Sequence, residues 1–276
     1  MKKSLKIFSL LFLLIVLVNC NSKTTKPEDI KRTSLELVTD KGTMVIELYN
    51  ETPKHRDNFI KLAKEGAYDS LLFHRVINKF MVQAGDPDSK NAKPQDTLGN
   101  GGLTYKVDAE FHPDLFHKRG VLGAARDGNP ERASSAMQFY IVQGRVKNDS
   151  LIDKDQKRIN EWLADHFSNN HPANKSVLDS LQKAIDNENE KNYKRFNDSL
   201  KKLAENFTDF KKYTIPESHR EVYRTIGGTP HLDQNYTVFG EVVKGLEVID
   251  SIAVVKTGVY DRPKQDLRIL SVSLLK

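Results

Sequence analysis

Residues 73 to 86, Phe-His-Arg-Val-Ile-Asn-Lys-Phe-Met-Val-Gln-Ala-Gly-Asp, gather a guanidinium, an aromatic ring, a thioether and a carboxamide in one short stretch. Arg75-Val76-Ile77 and Phe80-Met81-Val82 are β-rich runs, and Asn78-Lys79 between them suits a bend. Side chains alternate faces along a strand, so Arg75 can share a face with Ile77, and Met81 with Gln83. An apolar recess with one fixed cation and one amide could hold a proline ring beside its peptide bond. Taken alone, the stretch also fits an ordinary hairpin with Phe80 and Met81 as core and Arg75 as a solvated charge.

Two later stretches bear on that choice. Gly120-Val121-Leu122-Gly123-Ala124-Ala125-Arg126 is followed by Gln138-Phe139-Tyr140-Ile141, and Thr237-Val238-Phe239-Gly240-Glu241-Val242-Val243 lies further on. Together with the first stretch, and in this order, they resemble the signatures of the cyclophilin-type peptidyl-prolyl isomerases, over about residues 34–144 and 227–276. The resemblance implies a mainly β fold, a closed antiparallel barrel with two capping helices. It gives Arg75 the catalytic role, hydrogen bonding the amide nitrogen as the X-Pro bond twists. The proline ring would sit against Phe80, Met81, Tyr140 and Leu232, with Phe139 turned to the core. Gln83 would hold the substrate carbonyl, Ala125 and Arg126 the substrate backbone, and Gln138 would be a secondary contact. His231 and Tyr236 complete the candidate set at positions where many members carry tryptophan and histidine, so weak cyclosporin binding is expected. The only tryptophan, Trp162, falls outside the matched segments and is expected to stand apart from the pocket.

Other chemistries fit less well. No histidine and acid pair has ligand spacing on one element supported by a third ligand, so no metal or cofactor is expected, and His74 and His231 read as satisfied structural groups. Ser134-Ser135 shows no base or orienter adjacent in the sequence, so hydrolysis is not expected. Gly99, Gly101 and Gly102 read as a mobile turn and not as a phosphate loop.

The elements that must position these residues follow from local pattern. Leu35 to Val38 and Met44 to Leu48 flank Asp40-Lys41-Gly42 and predict a hairpin. Thr52 and Pro53 predict a helix start, with Phe59, Ile60, Leu62 and Ala63 buried and Gly66 as the stop. A short helix over about 245–253 would bury Leu246, Val248, Ile249 and Ile252, and Leu267 to Leu275 would be the last strand. Between Gly144 and Gly227 there is no glycine. Apolar residues recur there at helical spacing and predict an inserted helical hairpin within 145–226, with helices at about 153–168 and 176–213. Side-packing on the barrel is the simpler role for it, and a client-binding arm the sharper one.

The chain has 276 residues and a formal charge of +6. Residues 1–19 read as a signal peptide: Lys2, Lys3 and Lys6 precede an apolar run too short to span a bilayer. Without its three lysines, 40 of the 43 basic residues remain against 37 acidic ones, and no aromatic-interleaved basic stripe suggests nucleic acid. Leu17-Val18-Asn19-Cys20 resembles a bacterial lipobox, with Asn19 departing from the usual small residue. Cys20, the only cysteine, is then the lipidation site, and 20–33 a polar tether. The expected protein is a monomer, lipid-anchored in the cell envelope, that isomerises proline-containing polypeptide clients and assists folding of exported proteins. A proline-segment-binding chaperone or scaffold with little catalysis is the alternative.

Overall fold

The computed structural model describes residues 31–275, so the leader, Cys20 and most of the tether lie outside the described residues. Strands β1 (Thr33–Thr39) and β2 (Gly42–Leu48) alternate polar and apolar residues, and Leu35, Leu37, Met44, Ile46 and Leu48 are completely buried. Asp40-Lys41 joins them as expected. The Thr39 hydroxyl tightens the turn, donating to Gly42 O at 2.8 Å and accepting from Lys41 N at 3.1 Å.

Eight further strands follow: β3 (Arg75–Ile77), β4 (Met81–Ala84), β5 (Lys106–Val107), β6 (Val121–Ala124), β7 (Ser134–Ser135), β8 (Phe139–Val142), β9 (Val238–Lys244) and β10 (Ile269–Leu274). One antiparallel sheet runs in the order β10-β1-β2-β9-β6-β8-β4-β3, and the two-residue β5 and β7 pair separately. The three sequence stretches that seem remote in the chain therefore become neighbours. β8 lies between β6 and β4, and β9 flanks β6.

The expected closed barrel is corrected to a curled half-barrel, because β3 and β10 share no ladder. The seam carries the Leu72–Arg268 bridge and flanking backbone bonds, Phe73 N to Leu267 O, Ile269 N to Leu71 O and Ser70 N to Ile269 O, each 2.8 Å. Beyond them, a 3₁₀ turn at Val259–Asp261 lies against β3 where a closing strand would run.

Helix α1 (Pro53–Lys64) buries Phe59, Leu62 and Ala63 as predicted. Its cap differs from expectation. The Thr52 hydroxyl makes no capping bond; the Glu110 carboxylate accepts instead from Lys54 N at 3.1 Å and His55 N at 3.0 Å. An acid across the fold thus satisfies the free amides and the positive end of the helix.

The inserted region is more divided than a hairpin. It contains α2 (Asp149–Asn169), α3 (Lys175–Asp186), α4 (Glu190–Glu205) and α5 (Glu217–Thr225). The predicted long helix breaks at Asn187-Glu188-Asn189, where Glu188 takes a φ of 50° and Asn189 caps α4 through Asn192 N. Asparagine favours caps over helix interiors, which the apolar spacing alone cannot reveal. Residues 206–216 are not helical either, and Phe210, Tyr213 and Ile215 pack from this irregular run. The insertion is keyed to the sheet domain by Phe116, stacked on His219 at 3.8 Å and edge-on to Tyr223 at 5.4 Å. Finally α6 (Leu246–Ala253) buries Val248, Ile249 and Ile252, while Leu246 is exposed, contrary to expectation.

The core centres on Phe59, whose ring meets Tyr68 at 4.6 Å, Phe139 at 5.4 Å and Phe239 at 5.6 Å. This ring set ties α1 to β8 and β9. Phe59→Ala is expected to cost about 3–5 kcal/mol in urea unfolding, since such a cavity cannot refill. A loss near zero would show that the rings are not a packing unit.

Candidate active site

β3 and β4 pair in register, Arg75 opposite Gln83 and Ile77 opposite Met81, and Gln83 is in turn opposite Tyr140 on β8. This register is what brings the guanidinium and the carboxamide side by side. A cavity of about 140 Å³ opens over them, lined by Arg75, Phe80, Met81, Gln83, Ala125, Arg126, Tyr140, Leu232 and Tyr236. Most of the sequence-derived set therefore converges on one recess, and Phe139 faces the core as expected.

The charged and polar members are held from behind. Arg75 Nε donates to Asp261 Oδ2 at 3.3 Å, at an exposed rim. Arg126 is turned along the wall: its Nε donates to Asn235 O at 2.7 Å and its guanidinium lies over the Tyr236 ring at 4.8 Å. Ala125 N donates to Gln138 O at 3.0 Å, and Ala125 O accepts from Ser135 N at 2.8 Å. Its carbonyl keeps a second lone pair for a ligand.

Gln138 does not line the recess. It is buried, accepting from Gln83 Nε2 at 3.0 Å and donating to Gly99 O at 3.0 Å and Gly101 O at 2.7 Å. It orients Gln83, whose second amide hydrogen remains for a substrate carbonyl. The glycine segment is clamped and not the mobile turn expected: the fully buried Asp86 carboxylate accepts from Gly99 N at 2.5 Å and Gly101 N at 3.4 Å. A Cβ on Gly101 would fall 2.1 Å from Asp86 Oδ1, so only glycine permits the clamp.

Behind Tyr140 runs a buried chain. His117 Nδ1 lies 2.8 Å from Asp233 Oδ1, and its Nε2 lies 2.8 Å from the Tyr140 hydroxyl. Asp233 also accepts from His117 N at 2.9 Å and, through Oδ2, from the Tyr223 hydroxyl at 2.7 Å. Burial pushes both phenols well above their usual range, so they serve as hydrogen-bond donors. Gly123 makes room for the Tyr140 ring, since a Cβ there would lie 2.3 Å from Tyr140 Cζ.

His231 also stands outside the recess. It lies beyond Phe80, stacked on that ring at 5.4 Å, and lines a second cleft. Trp162 of α2 meets His231 edge-on at 6.2 Å and packs on the apolar cluster of the recess, so the insertion does reach the site. His74 is 3% exposed with neither ring nitrogen hydrogen-bonded among the described residues, which corrects its reading as a satisfied group. His117, Asp233, Tyr223, Asp86 and Asp261 were missed in the sequence because partners as far apart as 186 residues leave no local spacing to detect.

Known proteins share this fold and family. The family profile described as cyclophilin type peptidyl-prolyl cis-trans isomerase/CLD matches residues 34–274. A protein of Streptococcus pyogenes serotype M6, named as a bifunctional phosphatase/peptidyl-prolyl cis-trans isomerase, is 30% identical over 86% of this chain, which spans only 37% of that relative. A Staphylococcus haemolyticus protein named "putative peptidyl-prolyl cis-trans isomerase" is 28% identical, covering 86% of this chain and 88% of its own. A Cryptosporidium parvum cyclophilin type isomerase shares the fold, with a TM-score of 0.54 at 17% identity over 89% of this chain and 99% of its own. The chain belongs to the cyclophilin-type peptidyl-prolyl cis-trans isomerase family, whose members are enzymes acting on X-Pro peptide bonds.

Burial lowers the His74 ring to about 4 and, with the charges of Arg158 and Lys147, His231 to about 3. Both are neutral when folded, yet in the unfolded chain they charge below the ordinary 6.5. Stability from them is complete above that value and falls as the pH drops through the window below it, by about 1.4 kcal/mol per pH unit for each proton. His74→Gln should therefore flatten the loss of stability between about pH 6 and 4.5 by roughly that slope, read from urea unfolding across the series. Parallel pH profiles for parent and variant would contradict the lowered value.

Proposed function

We propose that the recess seats the proline of an X-Pro segment and that Arg75 is the catalytic residue. The observation that carries this is the pairing of Arg75 with Gln83 across β3 and β4, at the edge of an apolar floor of Phe80, Met81, Tyr140 and Leu232. Rotation about the bond meets a barrier of about 18–20 kcal/mol because the amide is conjugated. In the twisted state the nitrogen regains a lone pair that can accept a hydrogen bond, and a charged donor near it favours that state over the planar ones. Arg75 can donate there while Gln83 holds the carbonyl and the floor holds the ring. No bond breaks and no proton need move, so the neutral histidines and protonated phenols nearby suit the task.

The test is cis-to-trans relaxation of a short X-Pro peptide with the protein from residue 31 onward. Arg75→Ala is expected to lower kcat/KM by about a hundred-fold, the scale of losing one donor aimed at a transition state. Arg75→Lys should recover little, since an ammonium lacks the planar fork. Equal acceleration by parent and Arg75→Ala would remove Arg75 from catalysis. Peptide binding without acceleration by the parent would favour the chaperone or scaffold reading, to which the exposed Ile185, Tyr193 and Leu203 on the insertion lend some support.

We also propose that the enzyme is exported and anchored through acylated Cys20, and that it serves the folding of exported polypeptides. Its support is the order of features in the sequence, lysines followed by an apolar run ending at the sole cysteine. Each acyl chain adds about 0.8 kcal/mol per buried methylene, enough for stable anchoring when more than one is attached. Cys20→Ser should move the protein from the membrane fraction to the soluble one. Membrane retention of the unacylated variant would replace the lipid anchor with another attachment.

A further inference from the structure

Phe80 is a shared wall. One side faces the recess, and the other faces a cleft of about 400 Å³ bounded by the β3–β4 turn, the segment after β8, α2 of the insertion and residues 228–231. Resting on the reading that the recess seats proline, we propose that this cleft is a subsite for an acidic side chain of the same polypeptide substrate, a few residues from the proline.

Four cations line the cleft: Lys79 on the turn, Arg145 and Lys147 after β8, and Arg158 on α2. Its only carboxylate, Asp155, is taken by the buried Lys147. Lys79, Arg145 and Arg158 are exposed, and none has a carboxylate partner among the described residues. Other cations on this molecule are unpaired too, but these three line one cleft from separate elements, whereas Arg32, Arg119, Arg220, Arg224 and Arg262 are paired with acids. Three unpaired cations converging from separate elements repel one another, and an anion among them relieves that repulsion.

Thr229 also lines the cleft. The frame is fixed on the turn side, where Lys79 N is bonded to the Gln143 side chain and Lys79 takes a φ of 64°. The positive field of the cleft also acts on His231: Arg158 and Lys147 add to burial in keeping it neutral.

The ligand class follows from location. Successive Cα atoms are about 3.8 Å apart, so a chain leaving the proline seat past Phe80 brings its next few residues over the cleft. A free anion or a nucleic acid has no such reason to meet this position.

The test compares X-Pro peptides carrying Glu or the isosteric Gln two residues from the proline, on each side in turn. The readout is the ratio of kcat/KM, Glu to Gln, within one protein, so losses common to both peptides cancel. The parent should prefer Glu about five-fold on one of the two sides at low salt, the scale of several exposed charge pairs, with the preference fading toward molar salt. The triple variant Lys79→Gln, Arg145→Gln, Arg158→Gln should bring the ratio to near one. Should it fail to fold, Arg145→Glu at its exposed position should bring the ratio to one or below. As a readout without turnover, Arg158 lies over the Trp162 ring at 4.6 Å, so binding of the Glu peptide to Arg75→Ala should change Trp162 emission more than binding of the Gln peptide. A parent ratio of one on both sides, or a preference that survives the cation substitutions, overturns the subsite. Failure of the proline seat is distinguishable, because Arg75→Ala would then keep full activity on the Gln peptides.

Discussion

A carboxyl group with 1% exposure must find its hydrogen-bond partners inside the fold, and Asp233 is met from three directions. The His117 main chain, the His117 ring and the Tyr223 hydroxyl all converge on it. Those partners belong to different parts of the molecule. His117 leads into β6, Tyr223 sits on α5 of the insertion, and Asp233 follows the turn that carries Leu232. Losing the Tyr223 hydroxyl leaves Oδ2 unpaired, and losing His117 strips Oδ1 of both its partners, so the three parts are coupled through this buried acid. The far end of the chain is the Tyr140 hydroxyl, so the floor of the recess is positioned by the same contact that docks the insertion. A role for the insertion as a detachable arm sits poorly with this arrangement.

The opposite wall is organised by a second buried acid. Asp86 gathers the amides of Gly99 and Gly101, the carbonyls of the same residues receive the Gln138 amide, and Gln138 receives Gln83. Each step fixes the next, so the Gln83 side chain has its orientation already set, and less ordering would remain for a ligand bound there. Arg75 is treated differently. Its exposed pair with Asp261 is weak, of the order of 1 kcal/mol or less, so the guanidinium is biased toward the rim without being locked there. In the role proposed for Arg75, that freedom would let the donor follow a rotating amide.

The part of this plan that was legible in sequence is the part encoded locally. Arg75, Phe80, Met81 and Gln83 lie within one hairpin, and the alternation of β1 and β2 states which face is buried. The strand pairing β6–β8–β4 was accessible only through resemblance, since nothing in the spacing of Tyr140 and Gln83 says they are opposite. Long-range capping was invisible: Thr52 has the right type and place for an N-cap, yet Glu110 performs the task. The open seam could not be anticipated either, because β3 and the last strand both look like ordinary strands until the Val259–Asp261 turn is seen lying between them. Helical spacing misled where it was read through Asn187 and past Asn206, since aromatic residues three apart pack as well from an irregular run as from a helix.

His231 and Trp162 show why residue matching and geometry give different answers at one position. By sequence, His231 replaces a large apolar ring and opens the pocket; in space, it is stacked on Phe80 and backed by Trp162, so α2 returns an indole to the same wall from another direction. Burial and the neighbouring cations keep the imidazole uncharged, which lets it pack as an aromatic ring between two others. The wall thus depends on the insertion for its backing as well as for Tyr223. What looks like an addition to the fold supplies the outer support on one side of the recess and, through Asp233, the inner support beneath it.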